Sequence, residues 1–152
     1  MKDLKNKVAI VTGSSSGVGA ATARQLAALG CHVVINYNSN SAGGDAVAAD
    51  CEKVGVEALV FKANVANDGD CRAMANAAIE KWGRIDVLVN NAGTTKFVDH
   101  NNLEGLNADD FQNIYGVNVI GAYQMTRAVA EQMKLQEGGG AVVNVASIAG
   151  VA

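Results

Sequence analysis

The chain has 152 residues, 49% of them hydrophobic and 18% charged, with 17 glycines and no proline. That balance supports one packed domain and excludes a disordered tail or a collagen-like fibre. A net charge of −3 lacks the basic footprint of a nucleic-acid binder, so no nucleic-acid partner is expected.

The charged N-terminus leads into a short apolar run, Val8 to Val11, too brief for a signal peptide or a membrane span. That run fits a strand buried on both faces. Residues 17–29 are Ala-rich and stopped by Gly30, the pattern of a helix with a glycine C-terminal signal. A second strand is expected over 32–36, followed by a polar stretch. Residues 42–54 predict a helix ended by Gly55, with Gly43-Gly44 expected to delay its start. A third strand over 57–63, a helix over 68–82 closed by Gly83 and a fourth strand over 87–89 come next. Residues 94–106 have no clear period and read as a loop. Asn107 is placed as an N-cap, with Asp109 and Asp110 in the first turn where the helix dipole favours them. That helix is expected to run to about Met133. Gly138 to Gly140 break the chain before a fifth strand over 141–145. Strands alternating with helices predict an α/β domain, a doubly wound parallel sheet.

Cys31, Cys51 and Cys71 form no short metal-ligand pair, and their odd count reads as reduced thiols in a cytoplasmic protein. His32 and His100 have no partner at metal spacing, so no metal site is expected.

The most informative segment is Thr12-Gly13-Ser14-Ser15-Ser16-Gly17-Val18-Gly19, between the first strand and the first helix. Glycines there let the backbone turn sharply and approach a pyrophosphate, which the helix N-terminus then holds. A tight turn without a ligand is the alternative. The spacing excludes a P-loop, which ends in Gly-Lys-Ser/Thr, and differs from the G-x-G-x-x-G fingerprint.

T-G-x-x-x-G-x-G resembles the signature of the short-chain dehydrogenases/reductases. Further matches follow in family order: Asn90-Asn91-Ala92-Gly93 after the fourth strand, Asn118 in the long helix, and Ser147 beyond the fifth strand. The resemblance, nearest to 3-oxoacyl-acyl-carrier-protein reductases, implies a Rossmann-type fold. It implies a single dinucleotide-binding domain over 1–152, with the C-terminal part of the fold missing and the chain ending before the Tyr-x-x-x-Lys helix. Cofactor contacts are implied at Gly13, Ser14, Ser15, Ser16, Gly17, Val18 and Gly19. They are also implied at Asn64 and Val65 beside the adenine, where the family more often has Asp first, and at Asn91, Ala92 and Gly93 near the ribose and nicotinamide. Asn90 is expected to tie strands together.

An NAD site usually carries an acid about 20 residues after the glycines, for the ribose 2′-OH. Here no acid appears until Asp45. A carboxylate would repel a 2′-phosphate, so the cofactor expected is NADP, with Ser14, Ser15, Ser16 and Asn38 as phosphate contacts. Ser16 stands where NADP-dependent relatives often have a basic residue. A plain polar loop over 36–40 is the alternative.

By resemblance, a tyrosine serves as general acid–base, assisted by a lysine. Ser147 orients the substrate oxygen, and Asn118 supports a water chain. The 152 residues contain no Tyr-x-x-x-Lys. Tyr123-x-x-x-Arg127 precedes the serine, and arginine stays protonated, so Tyr123 is expected to pack. Three readings follow. The first is an oxidoreductase exchanging hydride between NADP(H) and a small carbonyl or alcohol, such as a 3-oxoacyl thioester, inactive as the chain stands. The others are a non-catalytic dinucleotide-binding module and an interaction protein pairing through its long helix. The family implies a homo-oligomer through the helix over 107–133.

Overall fold

The computed structural model describes residues 4–147. Five strands, β1 (Val8–Val11), β2 (His32–Tyr37), β3 (Ala58–Lys62), β4 (Val87–Asn90) and β5 (Ala141–Asn144), form one sheet in the order β3-β2-β1-β4-β5. Every neighbouring pair is parallel. The helices are α1 (Gly17–Ala28), α2 (Ser41–Lys53), α3 (Asp68–Trp82), α4 (Ala108–Tyr115) and α5 (Gly121–Leu135).

Every residue of β1 is fully buried, because the strand is central and covered on both faces. Val8 and Ile10 point to a core that includes Met74 and Ala78 of α3 and Met125 and Val129 of α5. Val11 points to the other core, with Ala20, Ala23 and Ala27 of α1 and Val47 of α2. The alternation is the two-residue period of a strand, and the alanines of α1 repeat at helical spacing on one face.

The helix ends follow their capping residues. Asn67 accepts from the Asp70 N–H, and Gly83 closes α3 in the left-handed region at φ +71°. Asn107 and Asp110 form a reciprocal capping box at α4. Two expectations need correction. α2 begins at Ser41 without delay, because the Asn40 side chain caps it by accepting from the Gly43 N–H at 3.0 Å. The single helix expected over 107–133 is three segments, α4, a π turn over Gly116–Ile120, and α5.

At the N-terminal edge of the sheet the buried Asp86 carboxylate accepts from the Val8 N–H (2.9 Å), Lys7 Nζ (3.1 Å) and both Nε (2.7 Å) and Nη2 (2.6 Å) of Arg84. Burial acts to raise its pKa, but the Arg84 fork, the Val8 N–H and Lys7 together hold it below the usual carboxylate range. Cys31, Cys51 and Cys71 are buried free thiols. Burial pushes Cys31 up to about 12 and Cys71 up to about 11, so neither is a nucleophile near neutral pH. Among the described residues no helix is long and apolar enough to cross a membrane.

Candidate cofactor and active site

The strand order reverses between β1 and β4, so the turns after these two strands meet at the crevice where doubly wound sheets bind ligands. Thr12 joins the two turns. Its buried Oγ1 accepts from the N–H groups of Asn91 and Ala92, both at 2.9 Å. In return, Asn91 Nδ2 donates to the carbonyls of Thr12 (2.9 Å) and Gly13 (3.3 Å). Gly13 sits at φ +63°, and a Cβ there would lie 2.9 Å from Ala92 Cα. Two turns this close leave no room for a side chain between them.

Two cavities share this junction. The first, about 480 Å³, is lined by Gly13, Ser15, Ser16, Asn36, Asn38, Asn64, Val65, Asn91, Ala92 and Gly93, with Ser39, Asn40, Ala63, Thr94, Asn113 and Val117. None of these is charged. The second, about 930 Å³, shares Val65 and the segment from Asn91 to Thr94, and is also lined by Asn118, Tyr123, Thr126, Asn144 and Ser147. The two form one trough, with the glycine-rich turn in the first compartment and the predicted serine and asparagine in the second.

The N-terminus of helix α1 is left open by its own side chains. Its N-cap residue, Ser16, makes no side-chain bond to the helix, whereas Asn40, Asn67 and Asn107 cap α2, α3 and α4. The first turns of α1 and α2 hold no acid, while those of α3 and α4 hold two each. The positive ends of α1 and α2 are therefore uncompensated beside the first cavity.

The serine run divides. Ser15 and Ser16 line the cavity. Ser14 faces inward and does not line either cavity. It is fully buried, its Oγ donates to the Val11 carbonyl at 2.7 Å and accepts the Asn36 N–H at 2.9 Å. Gly17, Val18 and Gly19 open α1 and are not among the lining residues.

Asn64 uses its Oδ1 locally, accepting the Ala66 N–H at 3.0 Å. The Val65 carbonyl accepts from Gln124 Nε2 at 2.9 Å and from the Cys71 thiol at 3.3 Å. Asn90 ties β4 to β5 and α5: its Nδ2 donates to Asn144 Oδ1 (2.9 Å), Thr126 Oγ1 (3.2 Å) and the Ala122 carbonyl (3.3 Å).

Asn118 lies in the π turn. Its Oδ1 accepts the Thr94 N–H at 2.8 Å and its Nδ2 donates to the Thr94 carbonyl at 2.9 Å. One side chain thereby pins the segment after Gly93 to the helix. π turns recur at functional sites. The loop that follows is held to α4 by Lys96 and Asp110 at 2.7 Å. Ser147 is exposed on the second cavity, and Ile148, Ala149 and Gly150 of its motif lie outside the described residues.

The packing expected of Tyr123 is not observed. Its side chain is 62% exposed, with the Arg127 guanidinium 5.3 Å from its ring. Arg127 is itself paired with Asp68 at 2.7 Å. Sequence reasoning missed Thr12 and Asn36 as site-forming residues, and Thr94, Asn113 and Val117 as lining ones.

A family model described as short chain dehydrogenase matches residues 7–152. The chain is 40% identical over 151 residues to the 3-oxoacyl-[acyl-carrier-protein] reductase of Synechocystis sp., covering 99% of this chain and 60% of that protein. It is 37% identical over 148 residues to an L-rhamnose 1-dehydrogenase (NAD(P)(+)) of Sphingomonas sp., covering 97% of this chain and 57% of that one. The crystal structure of a short chain dehydrogenase from Burkholderia cenocepacia in complex with NADP superposes with a TM-score of 0.87 at 36% identity, covering 96% and 57% of the two chains. The chain spans only 55% to 61% of the length of such relatives. The crevice at the reversal of strand order, the order of the motifs and these likenesses agree: the chain belongs to the short-chain dehydrogenase family.

Proposed function

We propose that this chain binds NADP(H) along the two-compartment trough. We further propose that it contributes Ser147 and Asn118 to reversible reduction of a small carbonyl substrate, of which 3-oxoacyl thioesters are the favoured class. The observation carrying this reading is the junction of the two compartments. The turn around Gly13 and the segment Asn91 to Gly93 are fastened there by Thr12, with Asn118 and Ser147 lining the compartment beyond. The bound dinucleotide would supply the hydride.

The chain's own residues do the rest. The glycine-rich turn and the N-terminus of α1 offer N–H groups to the pyrophosphate, with Ser15 and Ser16 beside them. Asn64 and Val65 line the adenine end, and Asn91, Ala92 and Gly93 the nicotinamide end. The Ser147 hydroxyl holds the substrate oxygen. Asn118 keeps the segment after Gly93 in register. A preference for the 2′-phosphate rests on Asn38, Ser39 and Asn40 at the cavity, the absence of any carboxylate among the lining residues, and a first turn of α2 that holds no acid. The likeness to a ketoacyl-type reductase favours the substrate class. The three buried free thiols fit a reducing cytoplasm. The face built from α4, the π turn and α5 is the surface through which the protein pairs with itself.

Titration calorimetry with NADPH and NADH tests the cofactor. Tighter binding of NADPH, by about tenfold or more, is expected, and equal affinities sink the preference. The 152-residue polypeptide holds no Tyr-x-x-x-Lys, so it is expected to bind but not turn over. Steady NADPH oxidation with an acetoacetyl thioester would contradict that.

A further inference from the structure

We propose that Asn36 is a positioning residue for the dinucleotide, its single amide locking the glycine-rich turn to the end of β3. The proposal rests on the cofactor reading above.

Asn36 is 2% exposed, yet it borders the first cavity. Its Oδ1 accepts the Gly13 N–H at 2.9 Å. Its Nδ2 donates to the Ala63 carbonyl at 3.1 Å, with the Tyr37 and Phe61 carbonyls at 3.3 and 3.4 Å. The main chain adds to this, since the Asn36 carbonyl accepts the Ser14 N–H at 2.9 Å. Gly13 precedes Ser15 and Ser16, and Ala63 precedes Asn64 and Val65. All four of these later residues line the cavity. One amide thus sets the spacing between the segment offered to the phosphates and the segment offered to the base.

The chemistry demands an amide. One end of the side chain must accept from an N–H while the other donates to carbonyls, at a position only 2% exposed. An aliphatic residue leaves the Gly13 N–H and the Ala63 carbonyl unmatched. Aspartate keeps the acceptor for Gly13 but turns a second acceptor against the Ala63 carbonyl. Protonated aspartate restores the donor in nearly the same shape. The position therefore predicts a pH signature that burial alone would not produce.

The test is NADP+ titration of the 152-residue protein and its Asn36→Asp and Asn36→Ser variants, followed by calorimetry from pH 8 to pH 5.5. At pH 8, Asn36→Asp is expected to bind about tenfold more weakly at unchanged stoichiometry, the loss of about one buried hydrogen bond to a polar partner. Its affinity relative to wild type should recover as the pH falls and the buried carboxyl regains its O–H. Taking the ratio to wild type removes titration of the 2′-phosphate itself. Asn36→Ser, whose hydroxyl is too short for both partners, is expected to bind about tenfold more weakly at every pH. It carries the comparison if the aspartate variant does not fold. A merely structural role would lower the number of competent sites and the melting temperature, leaving the affinity of each folded site and its pH profile as in wild type. That result overturns the proposal, as does failure of both variants to fold. If wild type itself binds no NADP+, the cofactor reading falls and this proposal with it.

Discussion

A methyl group at Gly19 would overlap the Asn91 side-chain nitrogen and sit 2.6 Å from the Gly13 carbonyl oxygen and 3.0 Å from Ser14 Cα. Two of those neighbours are backbone of the turn, so the turn itself must move. A methyl at Gly17 meets nothing within 4 Å, and the cost there is only the positive φ of +55°. The two glycines of one motif therefore serve different ends, close packing at Gly19 and a left-handed backbone at Gly17. Gly19→Ala should lower stability by about 1–3 kcal/mol through overpacking and reduce NADPH affinity with it. Gly17→Ala should cost about 1 kcal/mol of backbone strain. Urea melts and calorimetry on both variants check this, and equal losses would refute the distinction. The motif glycines, Asn118 and Ser147 were legible as a pattern. The bracing roles of Thr12, legible only as the first residue of the motif, and of Asn36 were not, because their partners are distant: Thr12 bonds Asn91, and Asn36 bonds Gly13 and Ala63. Nothing local distinguishes a buried Asn that braces a turn from a polar residue at the start of a loop.

At the level of elements, capping residues made the boundaries readable. α3 begins and ends at its expected residues because Asn67 and Gly83 are strong local signals. Asn107 predicts α4 in the same way, and Asn107→Ala, which removes the capping box, should cost about 1 kcal/mol in a thermal or urea melt. Gly43-Gly44 misled because the weakness of glycine in a helix is offset by Asn40 and by contact. A Cβ at Gly43 would collide with the Asn40 side chain and the Ser15 carbonyl, so glycine is what lets α2 start there. The π turn is beyond local pattern, since it arises where the long helix crosses the segment after β3. Gly121 lies against Val65 so closely that a Cβ would come within 2.7 Å of a Val65 methyl carbon. At the N-terminal ends of the inner strands, Asp86 joins the starts of β1 and β4 and gives stability a pH dependence. Its folded pKa is lowered, so its contribution is present above the unfolded value near 3.8 and is lost as pH falls through the folded value. Asp86→Asn should be less stable than wild type by about 2 kcal/mol at pH 7, a figure moderated because Lys7 and Arg84 are part-exposed. The gap should close below about pH 4. Urea melts from pH 3 to pH 7 measure it, and a gap independent of pH would exclude the charge as the cause.

The molecule as a whole leaves apolar surface uncovered on one side. Phe111, Tyr115, Val119, Ile120 and Tyr123 are exposed along α4, the π turn and α5, with Phe111 at 62%. Ile114 and Val117 on the same segments are half-buried, Val117 against the core. The exposed stripe is thus the next face round the helix. β5 ends the sheet with Val142, Val143 and Val145 each more than a third exposed, and its outer backbone groups are offered to any further strand. Monomeric proteins seldom expose contiguous apolar surface of this kind. The 152-residue polypeptide should therefore self-associate in a concentration-dependent way, seen by size-exclusion chromatography with light scattering. The stripe and the edge are separable causes. Phe111→Glu with Val119→Lys places charge on the helix, while Val143→Lys blunts the strand. If the helix carries association, the first variant becomes monomeric and the second does not. If edge pairing carries it, the order reverses. A wild-type chain that stays a monodisperse monomer at high concentration would show that neither surface is adhesive in water.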